Sequence, residues 1–196
     1  MGLGVVKSVC DESGSGKGWI MVRKLERKEF DMVFRIMEDS FPEDEYRTYQ
    51  EQKKLLDESS YGIYVLPGSA GAAIEAFMAV WEFEAFVFIE HFAVSPAHRN
   101  HGMGGRFLEE FLAGISKMAC LEVEPPHCET ASGRIGFYKR NRFFLNEYPY
   151  VQPAISKGRN PVPLMLMTYG RPVDGKEFEE IKRVLFSRVY KQPVSS

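Results

Sequence analysis

Ala85-Phe-Val-Phe-Ile-Glu90-His-Phe-Ala-Val94, followed at once by Ser95-Pro-Ala-His-Arg99-Asn-His-Gly102-Met-Gly104-Gly105, is the stretch on which the fold turns. A β-type run enters a loop marked by Pro96 and the glycines. The loop opens into a helix with Phe107, Leu108, Phe111, Leu112 and Ile115 on one stripe. A helix start presents unpaired backbone N–H groups and the positive end of its dipole. Glycines there let the backbone approach an anion closely and adopt positive φ. Arg99, Gly102 and Gly104 fall at this point. The segment therefore reads as a phosphate or pyrophosphate site, or as a tight strand-to-helix turn with no ligand. A dinucleotide fingerprint is excluded, because Phe107 stands where its third glycine belongs.

The upstream neighbour of this strand, 72–81, is also β-type, and a short acidic turn joins the two, so an antiparallel hairpin is expected. Further upstream lie a strand over 61–66, a polar helix over 43–56, and a helix with Phe30, Val33, Phe34 and Met37 on one face. Ser40-Phe-Pro42 ends that helix, since the residue before proline disfavours helical backbone. A first strand is expected over 19–23. Downstream come a strand over 119–124, the breaker Pro125-Pro126, a short helix over 132–140 and a strand starting at 143–145. A last strand over 162–169 and an amphipathic helix over 178–190 complete the order.

With 196 residues, the chain fits one domain at about 100–200 residues each. Residues 1–18 read as a flexible, Gly- and Ser-rich leader and 19–196 as the domain. Gly14-Ser-Gly-Lys-Gly18 is no P-loop, because Gly18 replaces the magnesium-binding Ser or Thr. A hydrophobic content of 44% and charged content of 27% exclude wholesale disorder. The net charge of -2 excludes a basic nucleic-acid binder. Three cysteines form no disulfide framework, and no apolar run approaches the ~20 residues of a membrane span. A cytoplasmic protein with no nucleic-acid or membrane partner is expected. The histidines and Cys128 lack zinc-ligand spacing.

The stretch from Val94 to Gly104 closely resembles the acyl-coenzyme A signature of the GNAT superfamily of N-acetyltransferases, Arg/Gln-x-x-Gly-x-Gly/Ala after a strand. A second stretch, Arg134-Ile-Gly-Phe137-Tyr138-Lys-Arg-Asn141-Arg-Phe143, resembles the later motif of that family. Order and separation agree, and the resemblance covers roughly residues 20–170. It implies an α/β fold with a central mixed, mostly antiparallel sheet, splayed central strands and helices on both faces. It implies acetyl-CoA as acyl donor and a primary amine of a small molecule or peptide as acceptor, in a monomer or homodimer. In that family the fourth strand bulges away from the fifth. Backbone groups of Phe92, Ala93 and Val94 would then pair with the pantetheine arm. The amides of Arg99, Asn100, His101, Gly102, Met103, Gly104 and Gly105 would cradle the pyrophosphate. Tyr138 matches the tyrosine that gives a proton to the departing thiolate, and Glu90 a strand position where some members place a base.

Two departures stand out. Arg142 replaces the usual glycine after Asn141, so either Asn141 turns left-handed or Arg142 is strained. Ala131 stands where an asparagine contact to the cofactor is common. Among single residues, Glu90 lies in an apolar strand, where partial desolvation suits a base; it reads either as a base or as a structural or substrate-positioning carboxylate. Strand alternation aims His91 at the opposite face, as packing. His98 and His101 fringe phosphate or solvent. The resemblance implies that Glu43, Asp44 and Glu45 lie in the loop region over the acceptor site, as amine-attracting groups; by the residues alone they also read as a solvated helix start. The long Tyr148–Pro163 connection reads as a wall of the acceptor pocket. The rival readings are a hydroxyl acceptor, a longer acyl donor, and an acyl-CoA-binding sensor with little turnover.

Overall fold

A computed structural model describes residues 22–68 and 73–192. The expected leader over 1–18 and the start of the strand expected over 19–23 lie outside these residues. In chain order the elements are β1 (Arg23–Lys24), α1 (Phe30–Glu38), α2 (Tyr49–Lys54), β2 (Tyr61–Pro67), β3 (Ile74–Glu82) and β4 (Phe86–Val94). Then follow α3 (Met103–Ala113), β5 (Met118–Val123), α4 (Glu129–Arg140), β6 (Phe143–Asn146), β7 (Val151–Gln152), β8 (Val162–Pro163), β9 (Met165–Tyr169) and α5 (Gly175–Val184).

Seven strands form one sheet in the order β1-β2-β3-β4-β5-β9-β6, and β7 pairs with β8 separately. Every pair is antiparallel except β4 with β5, which α3 connects as a crossover. Alternation along the central strands feeds two cores. On one face Phe77, Ala79, Trp81 and Phe88 pack with Phe30, Met37 and Phe178 of α1 and α5. On the other, Met78, Val80, Val87 and Ile89 pack with Phe107 and Phe111 of α3 and with Ile135 and Tyr138 of α4. Helices thus cover both faces, as expected from the stripes.

Several boundaries differ from expectation for local physical reasons. The polar helix expected over 43–56 is broken into a 3₁₀ turn at Glu43–Glu45, then α2, then a second turn at Leu55–Asp57. Tyr46 is extended and buried, and Thr48 caps α2 with Glu51 in a capping box. Burial of Tyr46 and Arg47 between these pieces outweighs helix propensity. The strand expected over 162–169 divides at buried Leu164 into β8 and β9, which belong to different sheets. Helix α4 begins a turn earlier than expected, where the Cys128 sulfur accepts from the Ala131 amide.

Two irregularities position the site. Between β3 and β4, Ala79 faces His91 while Val80 faces Ile89, so Glu90 is an extra, bulged residue. Pairing of β4 with β5 stops at Ile89 opposite Leu121. Beyond that point the parallel strands part, as the resemblance implied.

At the end of α4, Arg142 and not Asn141 takes the left-handed conformation, with φ 67° against −95°. Asn141 Nδ2 instead donates to Phe137 O at 2.8 Å, and the Arg142 guanidinium lies 5.5 Å from the Tyr169 ring centre. A left-handed non-glycine residue costs about 1–2 kcal/mol. Arg142→Gly is expected to raise thermal stability and Arg142→Val to lower it, with about 1–2 kcal/mol between the two variants by denaturant unfolding.

Candidate active site

The loop expected to cradle an anion is short and sharply turned. Ser95 ends the strand, Pro96–His98 form a 3₁₀ turn, and Asn100 and Gly102 both have positive φ, 67° and 70°. Helix α3 starts at Met103, so Met103, Gly104 and Gly105 form its first turn instead of the loop. No side chain caps that end, which leaves first-turn N–H groups directed outward. A Cβ on Gly104 would stand 3.4 Å from Val94 Cγ2, so the helix start packs directly on the strand end. Around Gly102 the space is open, and its backbone angle is what calls for glycine. These features fit a pyrophosphate held by backbone amides.

The side chains of the loop do other work. Arg99 donates to Val94 O at 2.9 Å and Ser40 Oγ at 3.0 Å, tying the loop to the strand end and to the residues after α1. One carbonyl of the Phe92–Ala93–Val94 run is thereby engaged. His98 turns back to Ser95 Oγ, 2.7 Å away, and His101 is exposed.

Where β4 and β5 part, a cavity of about 290 Å³ opens. Glu90, His91, Glu122 and Tyr138 line it, with Glu45 and the Arg134–Glu124 pair. The bulge corrects one expectation. An extra residue at position 90 resets the alternation, so His91 turns to the same face as Glu90. His91 Nε2 donates to Glu45 O at 2.9 Å, and its ring packs edge-on against Phe41 at 5.0 Å. Because a carbonyl only accepts, this bond puts the ring proton on Nε2 and leaves a lone pair on Nδ1. Burial lowers the histidine pKa, so the ring is neutral.

Glu90 is held by a partner that sequence reading had no means to find. Arg47 Nη1 donates to Glu90 Oε1 at 2.7 Å, and Arg47 Nη2 to Val189 O at 3.0 Å, with 6% of the Arg47 side chain and 2% of the Glu90 side chain exposed. The pair joins the broken 43–56 segment, the bulged strand and the π-helical turn Leu185–Val189 that continues α5.

The acidic triplet divides by role. Glu43 pairs with Arg159 and Asp44 accepts from the Asn160 amide, anchoring the 147–164 connection, whose Gln152 and Leu164 line the cavity as a wall. Glu45 instead borders the cavity, and burial followed by the charge of Glu124 pushes its pKa up to about 7. Glu122, not among the expected site residues, accepts from Tyr150 Oη and, at 2.6 Å, from Tyr190 Oη. Burial pushes its pKa up to about 7 against those bonds. Its signal was the one used for Glu90, a carboxyl within an apolar strand. Burial also raises the Tyr138 pKa to about 12, which keeps its hydroxyl protonated. That hydroxyl has no hydrogen-bond partner among the described residues.

Breaking a buried ion pair from one side leaves the other charge uncompensated, at a cost of about 3–5 kcal/mol. Glu90→Gln is therefore expected to destabilise the fold by about 3 kcal/mol even though the amide still accepts from Arg47. Adding Arg47→Met is expected to cost less than the sum of the single changes, a coupling read by denaturant unfolding of all four proteins.

No family model matches this sequence, and neither does any curated protein. Solved structures do. The chain is similar to a Bacteroides thetaiotaomicron protein assigned to the GNAT family of acetyltransferases, at 31% identity and TM-score 0.78, over 89% of this chain and 100% of that one. It shares its fold with Arabidopsis thaliana NAA60 in complex with a bisubstrate analogue, at 16% identity and TM-score 0.58, over 77% of this chain and 97% of that one. It also shares it with a GNAT acetyltransferase of Elizabethkingia anophelis with acetyl-CoA bound, at 14% identity and TM-score 0.52, over 76% and 97% of the respective chains. Together with the parted strands and the glycine loop, these similarities identify the chain as a member of the GNAT family of acetyltransferases.

Proposed function

We propose that the protein transfers an acetyl group from acetyl-CoA to the primary amine of a small molecule or peptide by direct attack. The observation that carries this reading is the coincidence of three features at one place. The strands part after Ile89, the uncapped start of α3 lies next to the parted strand, and the cavity there holds Glu90 and Tyr138 together.

The amides from Arg99 to Gly105 hold the pyrophosphate of the cofactor, and the free edge of β4 at Phe92 and Ala93 takes its pantetheine arm as an added strand. The cofactor supplies the activated thioester. Holding the two reactants side by side is the larger part of catalysis. The carboxylates around the cavity draw in a cationic amine. Once deprotonated, the amine nitrogen forms a bond to the thioester carbon, and Glu90 takes one of its N–H protons. The C–S bond then breaks, and Tyr138 gives its hydroxyl proton to the leaving sulfur. A proton returning from Glu90 to the phenolate through the solvent of the cavity restores both groups.

Acetyl-CoA is expected to raise the Tm of the protein by binding its folded state. Gly102→Asp puts a negative charge at the start of α3, in open space and at a left-handed backbone angle that costs about 1–2 kcal/mol, too little to unfold the domain. This variant is expected to fold normally and lose the Tm shift. An unchanged shift would overturn the pyrophosphate assignment.

Tyr138→Phe keeps the ring and its packing. Its kcat, read as thiol release over a panel of amines, is expected to fall by roughly 10²-fold with acetyl-CoA affinity little changed. Full kcat with chemistry limiting the rate would remove Tyr138 from the mechanism. Cofactor binding without thiol release on any amine would mark the protein as a sensor.

A further inference from the structure

Among the residues that line the cavity, two buried acceptor atoms have nothing to accept from. Glu90 Oε2 and His91 Nδ1 each lack a hydrogen-bond partner among the described residues, and they stand 3.6 Å apart. Both side chains are 2% exposed and both residues line the cavity. Two lone pairs do not satisfy each other without a proton between them. Arg47 commits one nitrogen to Glu90 Oε1 and another to Val189 O, and so offers nothing to Oε2. The bond from Nε2 to Glu45 O fixes the imidazole ring in orientation and in tautomer. Turning the ring over would break that bond, so the lone pair of Nδ1 is held toward Oε2. Leaving a buried acceptor unsatisfied is costly, and two such atoms side by side call for a group that donates two hydrogen bonds.

We propose that Glu90 Oε2 and His91 Nδ1 together are the docking point for the acceptor amine and select a primary amine. Each accepts one N–H from the same nitrogen. In a primary amine this leaves the lone pair in the remaining direction, free to attack. A secondary amine has one N–H in its neutral form and leaves one of the two acceptors empty. A quaternary ammonium ion carries the same charge into the cavity and satisfies neither atom. The selectivity is therefore built from hydrogen bonds and not from charge, which Glu45, Glu122 and Glu124 offer to any cation. His91 becomes a substrate-contacting residue because the bulge at Glu90 turns it to the cavity.

The inference rests on the acetyltransferase reading, and it is tested without turnover. The full chain is labelled with isotope-enriched histidine and the ring nitrogens of His91 are followed by NMR. Methylammonium chloride and tetramethylammonium chloride are titrated at matched ionic strength. In the free protein His91 Nδ1 is expected to give the signal of an unprotonated ring nitrogen. Methylammonium is expected to shift it saturably, and tetramethylammonium to be weaker by about tenfold or more, since it has no N–H to donate.

Equal responses to the two cations would show that charge alone acts and would overturn the proposal. So would the absence of any Nδ1 response to methylammonium, or a free protein whose Nδ1 already carries the proton. The acetyl-CoA Tm shift and thiol release are measured separately. Their failure would sink the acetyltransferase reading, whereas an Nδ1 that ignores methylammonium sinks only the docking point.

Discussion

One extra residue in a central strand governs the site. Glu90 has no cross-strand partner on β3, and from that point β4 also loses its parallel partner β5. A bulge twists and bends its strand. In a flat, fully paired sheet the backbone of Phe92 and Ala93 would pair with β5 as well as with β3, and there would be no cavity between β4 and β5. The same residue resets side-chain alternation, which is why Glu90 and His91 both look into the opening while Ile89 and Phe92 remain with the α3 face.

A bulge buried in the middle of a sheet has to be held. Arg47 does so from outside the sheet, linking the bulged Glu90 to the carbonyl of Val189, which lies 142 residues from Arg47 in sequence. The cost of burying this arginine is offset by two strong hydrogen bonds, and loss of either partner strands a charge. The same reasoning explains the broken 43–56 segment. A continuous helix there would carry Arg47 on a helical surface, whereas the extended backbone at Tyr46 delivers it into the interior. The C-terminal π-helical turn does corresponding work, since it also brings Tyr190 to Glu122.

The electrostatics of the opening follow from this packing. Glu90 and Glu124 have guanidinium partners, whereas Glu122 has two tyrosine hydroxyls and Glu45 has neither. Burial pushes the pKa values of Glu45 and Glu122 up to about 7, so their charge depends on what occupies the cavity. A cation arriving there meets carboxylates that become more acidic as it binds. Tyr138, which also lines the cavity, keeps its hydroxyl protonated.

Much of this was legible from the chain alone. The hairpin of β3 and β4, the glycine turn at Gly102 and the stripe of α3 are written in local periodicity and in residues with special backbone freedom, and such signals act within one or two turns of chain. Glu90 and Tyr138 were legible as a carboxyl in an apolar strand and as a motif tyrosine. Arg47, the orientation of His91 and the tyrosines around Glu122 were not. Arg47 lies 43 residues from Glu90, and Tyr150 and Tyr190 lie 28 and 68 residues from Glu122. The face that His91 presents depends on the register of β3 against β4, a pairing property that period-two alternation does not carry. Local sequence determined which elements form and where the glycine turn opens α3; only the tertiary structure decided which side chains share the cavity, because bulge register and buried ion pairs arise from contacts between segments far apart in the chain.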